Sequence, residues 1–151
     1  MAAPLLLPHA MTKHTIRLGD WATLGSDATA IRFEVFVDEQ KVPAEIELDD
    51  MDAVCLHAVA YDDFGAAIGT GRLLPDGHIG RMAVRQPGRG TGVGGAMLTL
   101  LMEKARERGD AAVVLNAQTV AAPFYARHGF VQQGEQFEEA GIAHVEMLLV
   151  F

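Results

Sequence analysis

The stretch RQPGRGTGVGGAML, residues 85–98, sets five glycines within the eight residues from Gly88 to Gly95 and then turns into an apolar helical pattern. Val93, Met97, Leu100, Leu101, Lys104 and Ala105 fall on one stripe at helical spacing, and Gly109 marks the C-terminal end. A helix start leaves backbone N–H groups unpaired and carries roughly half a positive charge from its aligned peptide dipoles. Glycines let those groups approach a ligand with no side chain in the way. Such a loop is an anion cradle, most often for phosphate or pyrophosphate, and Arg85 and Arg89 add formal charge beside it. A turn without a ligand would need only one or two glycines.

The charge distribution supports an anion there. The chain carries a formal net charge of −8, which argues against general nucleic-acid binding because phosphate neutralisation needs basic surface. Yet no acidic residue occurs between Asp76 and Glu103, the tract that holds Arg81, Arg85 and Arg89. Residues 34–52 are the opposite: Glu34, Asp38, Glu39, Glu45, Glu47, Asp49, Asp50 and Asp52 stand against Lys41 alone. That segment is expected either to attract a cation or to form a solvated acidic loop.

At 151 residues, 50% of them hydrophobic, the chain fits one domain with a real core. The start, MAAPLLLPHAM, has no basic flank and is broken by Pro4 and Pro8, so residues 1–11 are expected to be an extension, with Met11 a candidate natural start and 12–151 the domain. No stretch is long enough to span a membrane. Cys55 is the single cysteine, which rules out an intrachain disulfide and a cysteine metal cluster. A cytoplasmic location and no metal are the expectations.

Periodicity predicts a first strand in KHTIRLGDW and a helix through ATAIRFEVFVDEQ, capped by Ser26 and Asp27 and ended by Pro43. Residues 53–84 hold three apolar runs, AVCLHAVAYD, AAIGTGRLLPD and HIGRMAV, and read as an antiparallel meander. AAVVLNA is an interior strand, AAPFYARHGF a short helix, and HVEMLLVF a closing strand, with some strand content near Phe130. The order β α β β β α β α β predicts an α+β layered domain.

Three phosphate-binding motifs compete for the loop. A P-loop needs Lys and then Ser or Thr after its last glycine, whereas Ala96 follows Gly95. Gly90, Gly92 and Gly95 do match G-x-G-x-x-G, but too few residues follow AAVVLNA for a doubly wound dinucleotide sheet. The third motif, Gln/Arg-x-x-Gly-x-Gly/Ala, is matched by Arg89, Gly92 and Gly94. With it, and with IGRMAV before the loop and VVLNAQ and PFYARHGF after it, the sequence from about Thr15 onward resembles the GCN5-related N-acetyltransferase (GNAT) superfamily. VFVDEQ and GIAHVEM are similar to its small ElaA-like branch.

The resemblance implies a mixed, mostly antiparallel sheet flanked by helices, whose central parallel strands, IGRMAV and VVLNAQ, splay apart to take acetyl-CoA. It assigns the pyrophosphate to Arg89, Gly90, Thr91, Gly92, Val93, Gly94 and Gly95, pantetheine to backbone groups of Met82, Ala83 and Val84, and a cofactor amide to Asn116. A backbone N–H near Val84 would face the oxygen that gains charge when the thioester is attacked. Tyr125, the tyrosine of the F-Y motif, is implied as the acid that protonates the departing sulfur and as part of the cofactor site; the alternative is a packing tyrosine. An attacking amine must first lose a proton, since its pKa lies near that of lysine, about 10.4. His144 and Glu34 are the candidate bases. His57 could face either side of its strand, and Cys55 reads as a small core hydrophobe more than as an acyl carrier. The expected function is acetyl transfer from acetyl-CoA to an amine of a small molecule in a ternary complex. The alternatives are a non-catalytic acyl-CoA sensor or interaction module on the same fold, and a small nucleotide-binding protein. A homodimer is compatible with the fold, and no nucleic-acid or membrane partner is expected.

Overall fold

The computed structural model describes residues 14–151, so the proposed 1–11 extension lies outside the described residues. The first strand, β1 (His14–Gly19), leads into helix α1 (Trp21–Arg32). This helix begins five residues before the expected cap. Asp20 already offers a carboxylate at the strand end, and its Oδ1 accepts from the Thr23 amide at 2.9 Å. Asp27 serves elsewhere, as the acceptor of the Tyr61 hydroxyl at 2.6 Å.

Helix α1 continues as a π-helical segment, Phe33–Glu39, followed by the short α2 (Ala44–Glu47) and a 3₁₀ turn over Asp50–Val54. The meander then forms as expected, as β2 (Leu56–Asp62), β3 (Ala67–Leu73) and β4 (Ile79–Val84). Its first strand starts at Leu56 instead of residue 53 because Asp49 caps the 3₁₀ turn through the Met51 amide. The glycine loop leads into α3 (Val93–Glu107), then β5 (Ala112–Gln118), α4 (Ala122–Arg127), β6 (Val131–Glu139) and β7 (Ile142–Val150).

Strands β1-β2-β3-β4 form one antiparallel sheet and β5-β7-β6 another. The two touch through a parallel bridge between His78 and Val114, where the Val114 amide donates to the Gly77 carbonyl at 3.1 Å. Beyond it β4 and β5 have no mutual ladder, so they diverge toward the C-terminal end of β4. This is the splayed parallel pair that the resemblance implied, in an α+β fold. Alternation along β2 explains the layers. Ala58 and Ala60 pack against α3, where Met97, Leu98, Leu101 and Ala105 are wholly buried, while Val59 and Tyr61 meet Leu24, Ala28, Ile31 and Val35 of α1 and its continuation. A helix covers each face of the meander.

A bulge distorts β4 where it borders the splay. The β3–β4 register slips between Thr70 and Arg72, setting Arg81 and Met82 against the single Gly71. Arg81 adopts φ +50°, a conformation that costs an L-residue roughly 1–2 kcal/mol. Its guanidinium is held by the Glu47 carboxylate at 2.9 Å and the Asp49 carboxylate at 3.3 Å, which offsets that cost.

Candidate active site

The loop after β4 makes a single turn over Gln86–Gly88 and then passes through two left-handed glycines, Gly90 at φ +77° and Gly92 at φ +84°. No atom lies within 4 Å of the point where a side chain would begin at either position. Space over the loop is therefore open. Within α3 the Ala96 amide donates to the Gly92 carbonyl at 3.1 Å, so the amides of Val93, Gly94 and Gly95 precede the helix's own ladder. The glycine loop, the start of α3 and α4 enclose a cavity of about 540 Å³. Bare amides, open space and a helix start fit a pyrophosphate.

A second cavity, of about 640 Å³, lies between the π-helical segment, β4, β5 and the β6–β7 turn. Met82, Ala83, Val84, Arg89 and Tyr125 line both cavities, so the two meet along β4. The Arg85 amide donates to Ile68 on β3 at 2.8 Å, and strand alternation therefore turns the Val84 N–H the other way, to the unpartnered edge of β4. Tyr125 is buried at this junction, and its ring meets Phe124 and Phe130 edge-on, at 5.1 and 6.0 Å between centroids. Burial pushes its phenol up to about 12. It is a protonated donor at any ordinary pH.

The remaining candidates separate. Arg89 donates from Nε to the Val84 carbonyl at 2.9 Å, and its guanidinium pairs with Glu39. Thr91 bonds the Gly88 carbonyl through its hydroxyl and so braces the loop. His144 is buried in the wall of the larger cavity. Asn116 lines that same cavity and not the glycine-loop one, with its Nδ2 3.4 Å from Glu139 Oε1. Glu34 is not brought to either cavity. Its carboxylate pairs with Arg85 Nε at 2.9 Å, which corrects two expectations at once: Glu34 as a base facing the cleft, and Arg85 as a charge facing the anion.

The acidic segment is divided: Asp38, Glu45 and Asp50 are exposed, as a solvated segment would have them, whereas Glu47 and Asp52 are buried. Glu47, Asp49 and Asp52 fold around the chain's own arginines. Arg32 donates to Glu47 at 3.0 Å and to both Asp52 oxygens at 2.9 and 3.2 Å, while Arg72 donates to Asp49 at 2.7 and 2.8 Å and to Asp52 at 2.9 Å. Arg72 holds the Asp49 carboxyl down at about 2. The sequence did contain a signal for this network. Arg32 sits four residues after the buried Ala28 on the core stripe of α1, and a guanidinium there requires buried carboxylates. Gln40 and Gln118, joined side chain to side chain at 2.8 Å, were also not anticipated; they close one side of the larger cavity.

His57 belongs to this network and not to the cleft. Its Nε2 donates to the Asp52 carbonyl at 2.8 Å, its ring lies 4.9 Å from that of Trp21, and burial lowers its affinity for a proton. Below the ordinary histidine pKa of about 6.5 the unfolded chain takes up a proton that the folded one resists, so this group withdraws stability as pH falls. The expected result is a midpoint of thermal unfolding that drops from pH 7 to pH 5 more steeply in the native chain than in His57→Asn.

The model of the acetyltransferase (GNAT) domain matches residues 24–151. Among curated proteins, the uncharacterized N-acetyltransferase YjcF of Bacillus subtilis is 41% identical over 126 residues, covering 81% of this chain and 89% of that protein. A crystal structure of an acyl-CoA N-acyltransferase from Pseudomonas aeruginosa superposes with a TM-score of 0.80 at 31% identity, covering 90% of this chain and 99% of that one. Escherichia coli ElaA shares the fold, with a TM-score of 0.80 at 24% identity over 90% of this chain and 99% of its own.

Proposed function

The chain belongs to the GNAT acetyltransferase family, and from that premise we propose that it transfers an acetyl group from acetyl-CoA directly to the amine of a small molecule. The observation that carries this is the junction of two cavities along Met82, Ala83 and Val84, with Tyr125 at the point they share. The glycine-loop cavity would hold the pyrophosphate on the Val93, Gly94 and Gly95 amides, leaving the larger cavity for the acceptor. Acetyl-CoA supplies an activated acyl thioester when bound. The chain's part is to lay that donor along the free edge of β4, to present the Val84 N–H to the carbonyl oxygen, and to hold a proton on Tyr125 Oη for the sulfur.

The acceptor cavity favours a cationic amine. Glu39, Glu47 and Glu139 line it; Arg89 neutralises the first, Arg32 and Arg81 the second, and among the described residues Glu139 is met only by the Asn116 amide and the His144 ring. A module that merely sensed acyl-CoA would leave this second cavity without a role.

Thermal unfolding in the presence of acetyl-CoA, CoA, NAD and ATP, each in parallel, tests the assignment. Ligand at about 100 times its dissociation constant adds roughly 2.7 kcal/mol, or about 5–10 °C for a chain of this size. A rise with acetyl-CoA and CoA, followed by thiol release with amines, is expected. A larger rise with NAD or ATP overturns the proposal.

A further inference from the structure

We infer that His144, charge-stabilised by Glu139, is the base that takes the proton from the acceptor amine. This rests on the acetyl-transfer reading above and names the residue pair that completes its proton balance. The imidazole is fixed by three contacts. Its Nδ1 lies 2.7 Å from the Ile142 carbonyl, its face stacks on Phe137 at 5.9 Å and 24°, and its Nε2 lies 4.0 Å from Glu139 Oε2.

The first contact decides the tautomer. A carbonyl oxygen only accepts, so Nδ1 must carry the hydrogen, and in the neutral ring Nε2 is left with its lone pair. That lone pair belongs to a buried ring in the wall of the acceptor cavity. A histidine oriented by a backbone carbonyl on one nitrogen and open on the other is the arrangement a proton acceptor needs. Glu139 then faces the charge that appears when Nε2 is protonated. The other ionisable groups lining the cavity are Glu39, Glu47, Arg81, Arg89 and Tyr125; Glu39 and Glu47 are already paired with arginines. Gln118, the cross-strand partner of His144 on β5, is neutral.

The protons balance in one turnover. His144 Nε2 takes one proton from the ammonium form of the acceptor and passes it to solvent. The freed nitrogen forms its bond to the acyl carbon as the carbon–sulfur bond breaks, and Tyr125 gives its proton to the sulfur. The second proton lost by the nitrogen restores the Tyr125 hydroxyl. Glu139 touches no reacting atom and is a positioning residue.

Two measurements test the pair. The ¹⁵N shifts of the imidazole, read by long-range proton–nitrogen correlation in the unliganded chain, are expected to show the Nδ1–H form; an Nε2–H form overturns the inference whether or not the chain turns over. In the second, the pH profile of kcat/KM is followed by CoA release with 1,4-diaminobutane, or with the best amine of the screen if it is not accepted. His144→Asn keeps an amide donor for the Ile142 carbonyl and removes Nε2. Its rate at pH 7 is expected to fall by about 10²-fold or more, with the deficit shrinking as pH approaches that at which the amine is neutral by itself. Glu139→Gln is expected to lower kcat/KM at pH 7 by up to about fivefold, the scale of losing a charge pair about 4 Å apart in water-like surroundings, and to cost nothing further in the His144→Asn background. A His144→Asn profile parallel to the native one, with kcat/KM unchanged in Glu139→Gln, overturns the inference while leaving acetyl transfer standing. Failure of every amine together with absence of CoA binding removes the underlying function instead.

Discussion

Replacing Gly92 by Glu is expected to abolish acetyl-CoA binding while the chain stays folded. Two effects act at that position. Gly92 sits at φ +84° and ψ +1°, where any side chain costs roughly 1–2 kcal/mol, and its carbonyl opens the α3 ladder at Ala96. The helix absorbs this because Met97, Leu98, Leu101 and Ala105 are wholly buried against the sheet further along. The second effect is charge. A carboxylate would stand in the open space over the loop, beside the helix amides that favour an anion and in the place proposed for the pyrophosphate. Affinity by calorimetry is expected to drop by at least about 100-fold, equivalent to about 2.7 kcal/mol. Gly92→Ala isolates the conformational part and is expected to lose about tenfold or less. Far-ultraviolet circular dichroism of both variants should match the native chain. An unchanged dissociation constant in Gly92→Glu would remove the loop from the donor site and the catalytic assignments with it.

That loop was legible because its chemistry is local: five glycines before an apolar helical stripe mean bare amides at a helix start wherever the chain runs. The meander was legible for the same reason, since alternation and a turn signal lie within each hairpin. Three features were not. Strand β6 was anticipated only as some strand content near Phe130, because VQQGEQFEE forms an edge strand exposed at every position and so has no apolar alternation to reveal it. The start of α1 was misplaced because Asp20 and Asp27 are equally good caps by composition; what separates them is the end of β1 at Gly19, which brings Asp20 first. The ion pairs within the acidic segment were not legible because their partners, Arg32, Arg72 and Arg81, lie in a helix and two strands, and only the folded sheet brings them to Glu47, Asp49 and Asp52.

The candidate site divides along the same line. Resemblance singled out Tyr125, Arg89 and His144, and the structure sets all three in the walls of the larger cavity. It could not distinguish His144 from Glu34, because the difference lies in long-range partners: an ion pair with Arg85, 51 residues away, for Glu34, and a carbonyl and a cavity wall for His144. Which candidate is free to accept a proton is decided by tertiary contacts.

Tyr125→Phe is expected to lower kcat by about 10²–10⁴-fold and to leave acetyl-CoA affinity within a factor of about two. The split follows from how the ring is held. Its contacts with Phe124 and Phe130 are edge-on packing that phenylalanine reproduces, so the wall between the two cavities survives the change. Only the hydroxyl is lost. Because burial has pushed the phenol to about 12, the native hydroxyl stays protonated to above pH 10 and its ionisation contributes no basic limb to the rate profile below about pH 11. The same elevated value makes Tyr125 a weak acid, so its proton would pass to the sulfur only as the carbon–sulfur bond breaks and charge builds up in a cleft that solvates a thiolate poorly, with the phenolate then reprotonated from the acceptor nitrogen. A leaving thiol that is already acidic needs that proton least. The deficit of Tyr125→Phe is therefore expected to shrink with an acetyl donor whose thiol is more acidic than that of CoA, and an equal deficit with both donors would mean that the ring only shapes the cavity wall.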